Sequence, residues 1–314
     1  MGEDFVKISL SILLGNGAGK SFIDVYVDQV SRAHKEGFSR VWTPQLPWEP
    51  DLSSTVAVAL REVPDIEIGA SVLPIQVAHP MLTAQRALTL SRLSDNRFSL
   101  GLGVNHPKMS EKLWGVPWEK PVRRMREYLD GLLPLLAGDT ADSTGELVTT
   151  RGSLDIPHAA TPPVYIAALG PQMLRLAGGR AAGTLTWMTG PKTLAGHIGP
   201  TLRDAASAAG RSAHDVKVVA VLPVCVTDDA KAVKESAAKQ FEIYGTLPSY
   251  RAMLDREGYA NPEDSALIGD ESSVSSRIEE LRAAGVDEFV GQPMGEDDET
   301  LTRTRTLLRS LDDE

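Results

Sequence analysis

Apolar residues recur along this chain in two alternating rhythms. Some runs are short and apolar throughout; in longer stretches apolar positions return every third or fourth residue. The first rhythm suits a strand buried on both faces, the second an amphipathic helix. Val6–Leu14 (VKISLSILL) predicts a first strand. Ile23, Val27, Val30 and His34 then share a helical face, and Gly37 stands where a helix end takes a left-handed residue. The strand Arg40–Pro44 (RVWTP), a helix through Ser54–Glu62 and the strand Ile66–Leu73 (IEIGASVL) continue the pattern. A helix through Thr83–Leu93, with Ala84, Ala87 and Leu88 on one face, is entered through His79-Pro80, because proline suits a first helical turn. Asp95-Asn96 is turn chemistry, and Arg97–Val104 (RFSLGLGV) is the fourth strand.

After Asn105 the rhythm breaks. Residues 106–163 hold a helix through Val122–Leu136 but no further core strand, which predicts an insertion acting as a lid or substrate-shaping segment. The alternation resumes with the strand Val164–Leu169, a helix from Gln172 and the strand Gly183–Met188. A helix near Thr193–Ala209, the strand Lys217–Thr227 and a helical stretch from Asp229 follow. The last strand, in DEFVGQPM (287–294), comes after a helix that aligns Val274, Ile278 and Leu281 and ends at Gly285. Eight strands, each with a following helix, predict an α/β protein of the (β/α)8 barrel class, a single domain over 1–314 with an insertion after strand 4. Active-site groups then belong on loops at the carboxyl ends of the strands. A doubly wound open sheet is the structural rival.

Composition narrows the function classes. The 42% of apolar residues supply a core, yet no run reaches the roughly 18 residues that cross a bilayer. The amino-terminal stretch lacks a signal-peptide pattern, so a cytoplasmic location is expected. A net charge of −10 offers no basic stripe for nucleic acid. The single cysteine, Cys225, excludes an internal disulfide framework and reads as a buried core thiol. None of the six histidines pairs at i, i+4 spacing, so no metal site is expected.

Candidate chemistry is sparse. Gly15–Ser21 (GNGAGKS) resembles a phosphate loop, but the position five residues before its Gly-Lys pair is Leu14 rather than glycine; it reads as a loop after the first strand. Gly101 and Gly103 remove side chains from one side of the fourth strand, which either admits a ligand or relieves crowding among neighbouring side chains. His106, just past that strand, is either a surface residue or an acid or base. Gly69 and Ser71 are small residues at the end of the third strand. Leu169-Gly170-Pro171-Gln172-Met173 is a strand-to-helix turn whose free amides make it an anion site or an ordinary turn.

In order and spacing, several segments taken together resemble the luciferase-like monooxygenase superfamily, in its branch that uses the deazaflavin coenzyme F420. They are RVWTPQ, GASVLP, HPMLTAQRALTLSRLSDNRFSLGLGVN, VYIAALGPQMLRLAGGRAAGTLTWM and IGDESSVSSRIEELRAAGVDEFV. The resemblance implies a (β/α)8 barrel, commonly a homodimer, that passes a hydride between F420 and a small organic substrate with an electron-poor C=C or C=N bond. The alternative is an FMN-dependent monooxygenase supplied by a separate reductase. It implies a non-prolyl cis peptide at Ser71-Val72 beside the ring, and a cofactor lining from Gly101, Gly103, Val104 and Asn105. Leu169, Gly170, Pro171, Gln172, Met173, Thr186 and Trp187 would hold the phosphate and side chain. Gln45 would face the ring, and Gln45 and His106 are the catalytic candidates. Several deazaflavin enzymes carry an Asp-His pair at the second strand end, where this chain has Gln45-Leu46, so the proton donor is left unassigned. Trp48, His106 and Trp187 are candidates for the substrate side, and residues 106–163 would decide the substrate.

Overall fold

In the computed structural model, which describes residues 6–15, 21–157, 160–295 and 297–312, each apolar run holds a strand. These are β1 Lys7–Ser11, β2 Arg40–Thr43, β3 Glu67–Ala70, β4 Phe98–Gly103, β5 Val164–Ala167, β6 Gly183–Trp187, β7 Lys217–Val226 and β8 Glu288–Pro293. A helix follows each of them in the chain, which is the (β/α)8 class expected from the sequence. The GNGAGKS loop falls mostly outside the described residues; Gly15 is described and left-handed, at φ 69°. Among the described residues no helix is long and apolar enough to cross a membrane.

The chain divides into two compact units. One holds Ile12–His34 and Ser39–Ala167; the other holds the described residues within Met1–Ser11, Lys35–Phe38 and Ala168–Glu314. In the first unit β2, β3, β4 and β5 pair in that order, all parallel, with Trp42 opposite Gly69, Ile68 opposite Phe98 and Leu100 opposite Val164. Burial explains their continuous apolar character: all six residues of β4 are buried. Trp42, wholly buried, meets Tyr165 edge-on with ring centroids 5.3 Å apart. A Cβ on Gly69 would collide with the Trp42 ring, so that glycine makes room for an indole. A short strand, Leu73–Pro74, lies alongside the end of β4, opposite Leu102 and Gly103.

Helix boundaries in this unit follow the chemistry of their ends. Asp51 caps Leu52–Glu62 through its Oδ1, which accepts the Ser54 N–H at 2.8 Å. His79 caps Pro80–Leu93, its Nδ1 accepting the Met81 N–H at 3.2 Å, and the helix stops before left-handed Asp95 and Asn96. Arg97 then closes the turn into β4, donating to the carbonyls of Val63 at 3.2 Å, Ile66 at 2.7 Å and Leu60 at 2.8 Å. One helical face differs from its expected residues. Helix Phe22–Lys35 buries Tyr26, Val30 and Ala33, whereas Ile23, Val27 and His34 are not all buried: Ile23 and Val27 are only partly so, and His34 likewise. Tyr26 turns the helix inward because its hydroxyl finds the buried Thr43 Oγ1 at 2.8 Å.

The insertion contains helices Pro107–Lys112 and Pro121–Ala137, then an antiparallel hairpin of Ala141–Thr144 and Thr149–Gly152 that the apolar pattern does not predict. The Glu127 carboxylate of the longer helix fastens the hairpin turn, accepting the N–H groups of Glu146, Leu147 and Val148 at 3.1, 2.7 and 3.0 Å. Thr150 occupies the notch left by Gly131.

In the second unit β7 lies between β6 and β8, and β8 pairs with β1, again all parallel. Leu267–Gly269 pairs with the last residues of β7. Buried Glu288 accepts a 2.6 Å hydrogen bond from Ser9 Oγ. Val274, Ile278 and Leu281 are buried as expected, and Gly285 ends their helix at φ 76°. Arg211 mirrors Arg97: before β7 it donates to the carbonyls of Gly178 at 2.6 Å and Ala181 at 2.7 Å, closing helix Pro171–Arg180.

Candidate active site

Within the first unit, the carboxyl ends of β2, β3 and β4 are tied together through the backbone. The Thr43 carbonyl at the end of β2 accepts the Ser71 N–H at 2.8 Å, and the Ile75 N–H reaches the Gly103 carbonyl at 3.0 Å. Between them the Ser71-Val72 peptide is cis, as the resemblance implied. Val72 lies against the end of β4: a Cβ on Gly103 would stand 2.5 Å from Val72 Cγ2. Gly103 is therefore glycine because of Val72, while Gly101 pairs with Tyr165 of β5.

Beyond Gly103 the strand end is held from two directions. The Val104 carbonyl accepts from Trp118 Nε1 of the insertion at 2.9 Å and from Gln76 Nε2 of the loop after the short strand. Asn105 is left-handed at φ 52°, a region asparagine tolerates, and its Oδ1 accepts the His106 N–H at 2.8 Å. His106 begins helix Pro107–Lys112, its carbonyl accepting from Met109 and Ser110 at 3.0 Å each. Burial pushes its imidazole pKa down, which keeps the ring neutral at neutral pH.

The loop after β2 is shaped by Gln45. Its Nε2 donates to the carbonyls of Leu46 at 2.9 Å and Pro50 at 3.1 Å, and its Oε1 accepts the Leu52 N–H at 2.7 Å. Both amide donors are thus spent on the loop itself. Trp48 of the same loop is 66% exposed. Two further groups here escape sequence reasoning. Glu49 Oε2 and Gln76 Oε1 are buried oxygens with no hydrogen-bond partner. The only sequence signal for Glu49 is a solitary carboxylate in the apolar, proline-rich PQLPWEP; Gln76 and Trp118 give none.

The second unit carries the remaining candidates. Gly170, at φ −78° and ψ 151°, caps helix Pro171–Arg180 without any side-chain hydrogen bond, and a Cβ there would meet nothing within 4 Å. Gln172 is exposed and Met173 buried. Leu169 is anchored by nearly buried His197, whose Nε2 lies 2.8 Å from its carbonyl. The helix beginning at Pro191 differs. There the Glu257 carboxylate accepts the N–H groups of Lys192 and Thr193 at 3.0 and 2.8 Å and the Thr193 hydroxyl at 2.7 Å. Asp229, Asp270 and Asp297 likewise each accept a backbone N–H at the start of a helix. The start of helix Pro171–Arg180 carries no such carboxylate, as is also true of the helices beginning at Pro107, Pro121 and Pro248.

Thr186 and Trp187 are consecutive in β6 and so face opposite sides of the sheet. Thr186 is buried, whereas Trp187 is partly exposed and packs edge-on against Phe241 at 5.9 Å and Tyr244 at 6.1 Å. Thr186 Oγ1 is buried without a hydrogen-bond partner, as Gln76 Oε1 is. Among the described residues no cluster of metal-ligating side chains occurs.

Comparison with known proteins adds the context these residues lack. The luciferase-like monooxygenase family profile matches residues 12–288. A 5,10-methylenetetrahydromethanopterin reductase of Archaeoglobus fulgidus is 26% identical over 302 residues, covering 85% of this chain and 89% of that protein. The coenzyme F420-dependent tetrahydromethanopterin reductase of Methanopyrus kandleri superposes with a TM-score of 0.81 at 23% identity, over 96% of this chain and 97% of that one. The oxygenating constituent of 3,6-diketocamphane monooxygenase from Pseudomonas putida, solved with FMN, has a TM-score of 0.76 at 15% identity, over 97% and 96%. At such identities the two structures speak to the fold alone, and both share it with this chain.

Proposed function

The chain belongs to the luciferase-like monooxygenase family and is an oxidoreductase, and from that premise we infer that its cofactor is coenzyme F420 and its reaction hydride transfer. The observation that carries this reading is the sequence kinship to an archaeal methylenetetrahydromethanopterin reductase over 85% of the chain. The FMN-using relative is alike in fold only.

The residues present fit such a cofactor. Gly103 lets Val72, beside the cis peptide, pack directly against the end of β4. Buried Gln76 Oε1 and Glu49 Oε2 are acceptors with no donor from the protein. An uncapped helix start at Gly170–Met173 suits a phosphate. The chemistry such a group supplies when bound is hydride transfer to, or from, an electron-poor C=C or C=N bond. The protein's share is placement. Ser71, Val72, Gly101, Gly103, Val104 and Asn105 would set the plane of the ring. Gln45 would act by holding its loop in shape. Leu169, Gly170, Pro171, Gln172 and Met173, with Thr186 and Trp187, would hold the phosphate and side chain. His106, kept neutral by burial, lies where substrate contact is expected and bears no charge to attract water.

Titrating oxidised F420 and FMN separately into the purified protein, and following quenching of its five tryptophans, tests this. Saturable quenching by F420 and little by FMN is the expected result. Tight FMN binding without F420 binding, or no binding of either, overturns it.

A further inference from the structure

Each of the first four strands is followed by a segment that holds one large apolar side chain out in solvent. Leu13 follows β1 and is 37% exposed, and Trp48 follows β2 at 66%. Val77 comes after β3 and the short strand Leu73–Pro74 at 49%, and Leu113 follows β4 at 56%. All four belong to the first unit. Among the described residues only Val58, Leu82 and Ile243 join them as exposed large apolar side chains, and none of those exceeds 41%. Single exposed apolar residues are ordinary on any surface. Here the three most exposed of all fall on successive strand-end segments, which is a pattern and not a scatter.

The backbone sets these segments side by side. The Ile12 N–H donates to the Trp42 carbonyl of β2 at 2.9 Å, which brings Leu13 to the end of that strand. The Thr43–Ser71 and Ile75–Gly103 bonds join the ends of β2, β3 and β4. The Val104 carbonyl then holds the Val77 loop through Gln76 and the insertion through Trp118. Stiffness keeps the apolar groups outside. Prolines at 44, 47 and 50 fix three φ angles, and the three Gln45 side-chain bonds tie that loop's start to its end. Ser110 Oγ donates to the Val116 carbonyl at 2.7 Å and closes the turn that carries Leu113. Charge is scarce on the same segments. Residues 12–15 and 75–78 have none, and residues 44–50 have only Glu49, which is partly buried. Both ring nitrogens of His79 are occupied, by the Met81 N–H and the Thr149 carbonyl. The exposed charges nearest to Leu113 in the chain are Lys108, Glu111 and Lys112 of its own helix.

We propose that Leu13, Trp48, Val77 and Leu113 form the surface that takes the body of the substrate, and that the substrate is an uncharged molecule with an apolar chain or ring. In (β/α)8 enzymes the reacting molecules meet the protein at the carboxyl ends of the strands, and all four side chains stand on the segments that leave those ends. Calling the occupant a substrate rests on the reading under Proposed function. Release of water from facing apolar surfaces supplies the affinity. Loops that are already stiff lose little freedom when the ligand arrives, so most of that gain is kept. An ionised body would exchange its hydration for side chains that offer it no partner.

Calorimetric titration with the unreactive ketones hexan-2-one, octan-2-one and decan-2-one, on protein with and without F420, tests this. In wild type the Kd should fall about two- to fourfold for each added methylene, and decanoate should bind more weakly than decan-2-one. Tryptophan emission should shift to the blue as decan-2-one binds, and the shift should vanish in Trp48→Phe while the affinity stays. Trp48→Gln combined with Leu113→Gln should weaken decan-2-one roughly tenfold or more and flatten the dependence on chain length. Both positions are exposed, so the double variant should keep its melting temperature and its F420 quenching within about twofold. No ketone binding by wild type, an unchanged chain-length series in the double variant, or tighter binding of decanoate overturns the proposal. So does a dimer, seen by size-exclusion chromatography, that the double variant loses while ketone binding is unchanged, since the surface then seats a second copy of the chain. The expected ketone series in a wild type that fails to bind F420 overturns the cofactor reading alone.

Discussion

Val72 fills the space that a side chain at position 103 would need, which yields a prediction at the scale of single atoms. Gly103→Ala adds a methyl 2.5 Å from Val72 Cγ2, an overpacking that should cost about 1–3 kcal/mol in urea denaturation. Val72→Ala in the same chain should recover most of that loss, since the two changes share one contact. Equal stability of Gly103→Ala and wild type, or no recovery in the double variant, would refute the packing account. The glycine pair is visible in the sequence and its partner is not, because Val72 arrives from another loop. His34 makes the same point from the opposite side. Spacing puts it on an apolar helix face at the edge of the core, and it is half-buried there, while the fully buried positions are Tyr26, Val30 and Ala33, with Tyr26 bonded to Thr43. Glu49 is the least legible. A carboxylate among prolines says nothing about which of its oxygens is covered.

At the level of elements, the start of helix Pro171–Arg180 makes a prediction with two opposite signs. Gly170 has extended backbone angles and free space at its Cβ, so Gly170→Asp should cap the helix. The unloaded protein should gain a few tenths to about 1 kcal/mol from the cap and the dipole. The same carboxylate would compete with the cofactor's phosphate, so F420 affinity should fall, roughly tenfold or more, in the quenching titration. If stability and affinity rise together, this helix start is not the phosphate site. The turn itself reads from the sequence as either an anion site or an ordinary connection, and the lack of a side-chain cap, shared with the helices beginning at Pro107, Pro121 and Pro248, does not decide between them. The hairpin of the insertion is not legible. ADST and TTRG lack the apolar alternation that marks a strand with one buried face. What holds them is a carboxylate and a threonine notch from the preceding helix, and neither leaves a periodic trace.

Across the whole chain, the order of eight strands is legible because buried parallel strands must be apolar at nearly every position. The two ends of those strands divide the work. At the amino ends, Arg97 and Arg211 gather carbonyls that the helices leave unbonded. Lysine cannot reproduce that forked set of donors. Arg97→Lys should therefore lower unfolding free energy by roughly 1–3 kcal/mol while leaving F420 affinity within about twofold of wild type. A parallel loss of affinity would show that the two ends are coupled. The guanidinium fastenings have a further consequence. Arginine keeps its charge across the whole range in which proteins work, whereas the carboxyl and imidazole at the opposite ends of the strands change theirs. These two fastenings are thus indifferent to the acidity of their surroundings. A change of acidity that alters the charge of His106 at one end of β4 leaves the Arg97 clasp at the other end as it was, as a hinge pin ignores the swinging of its door.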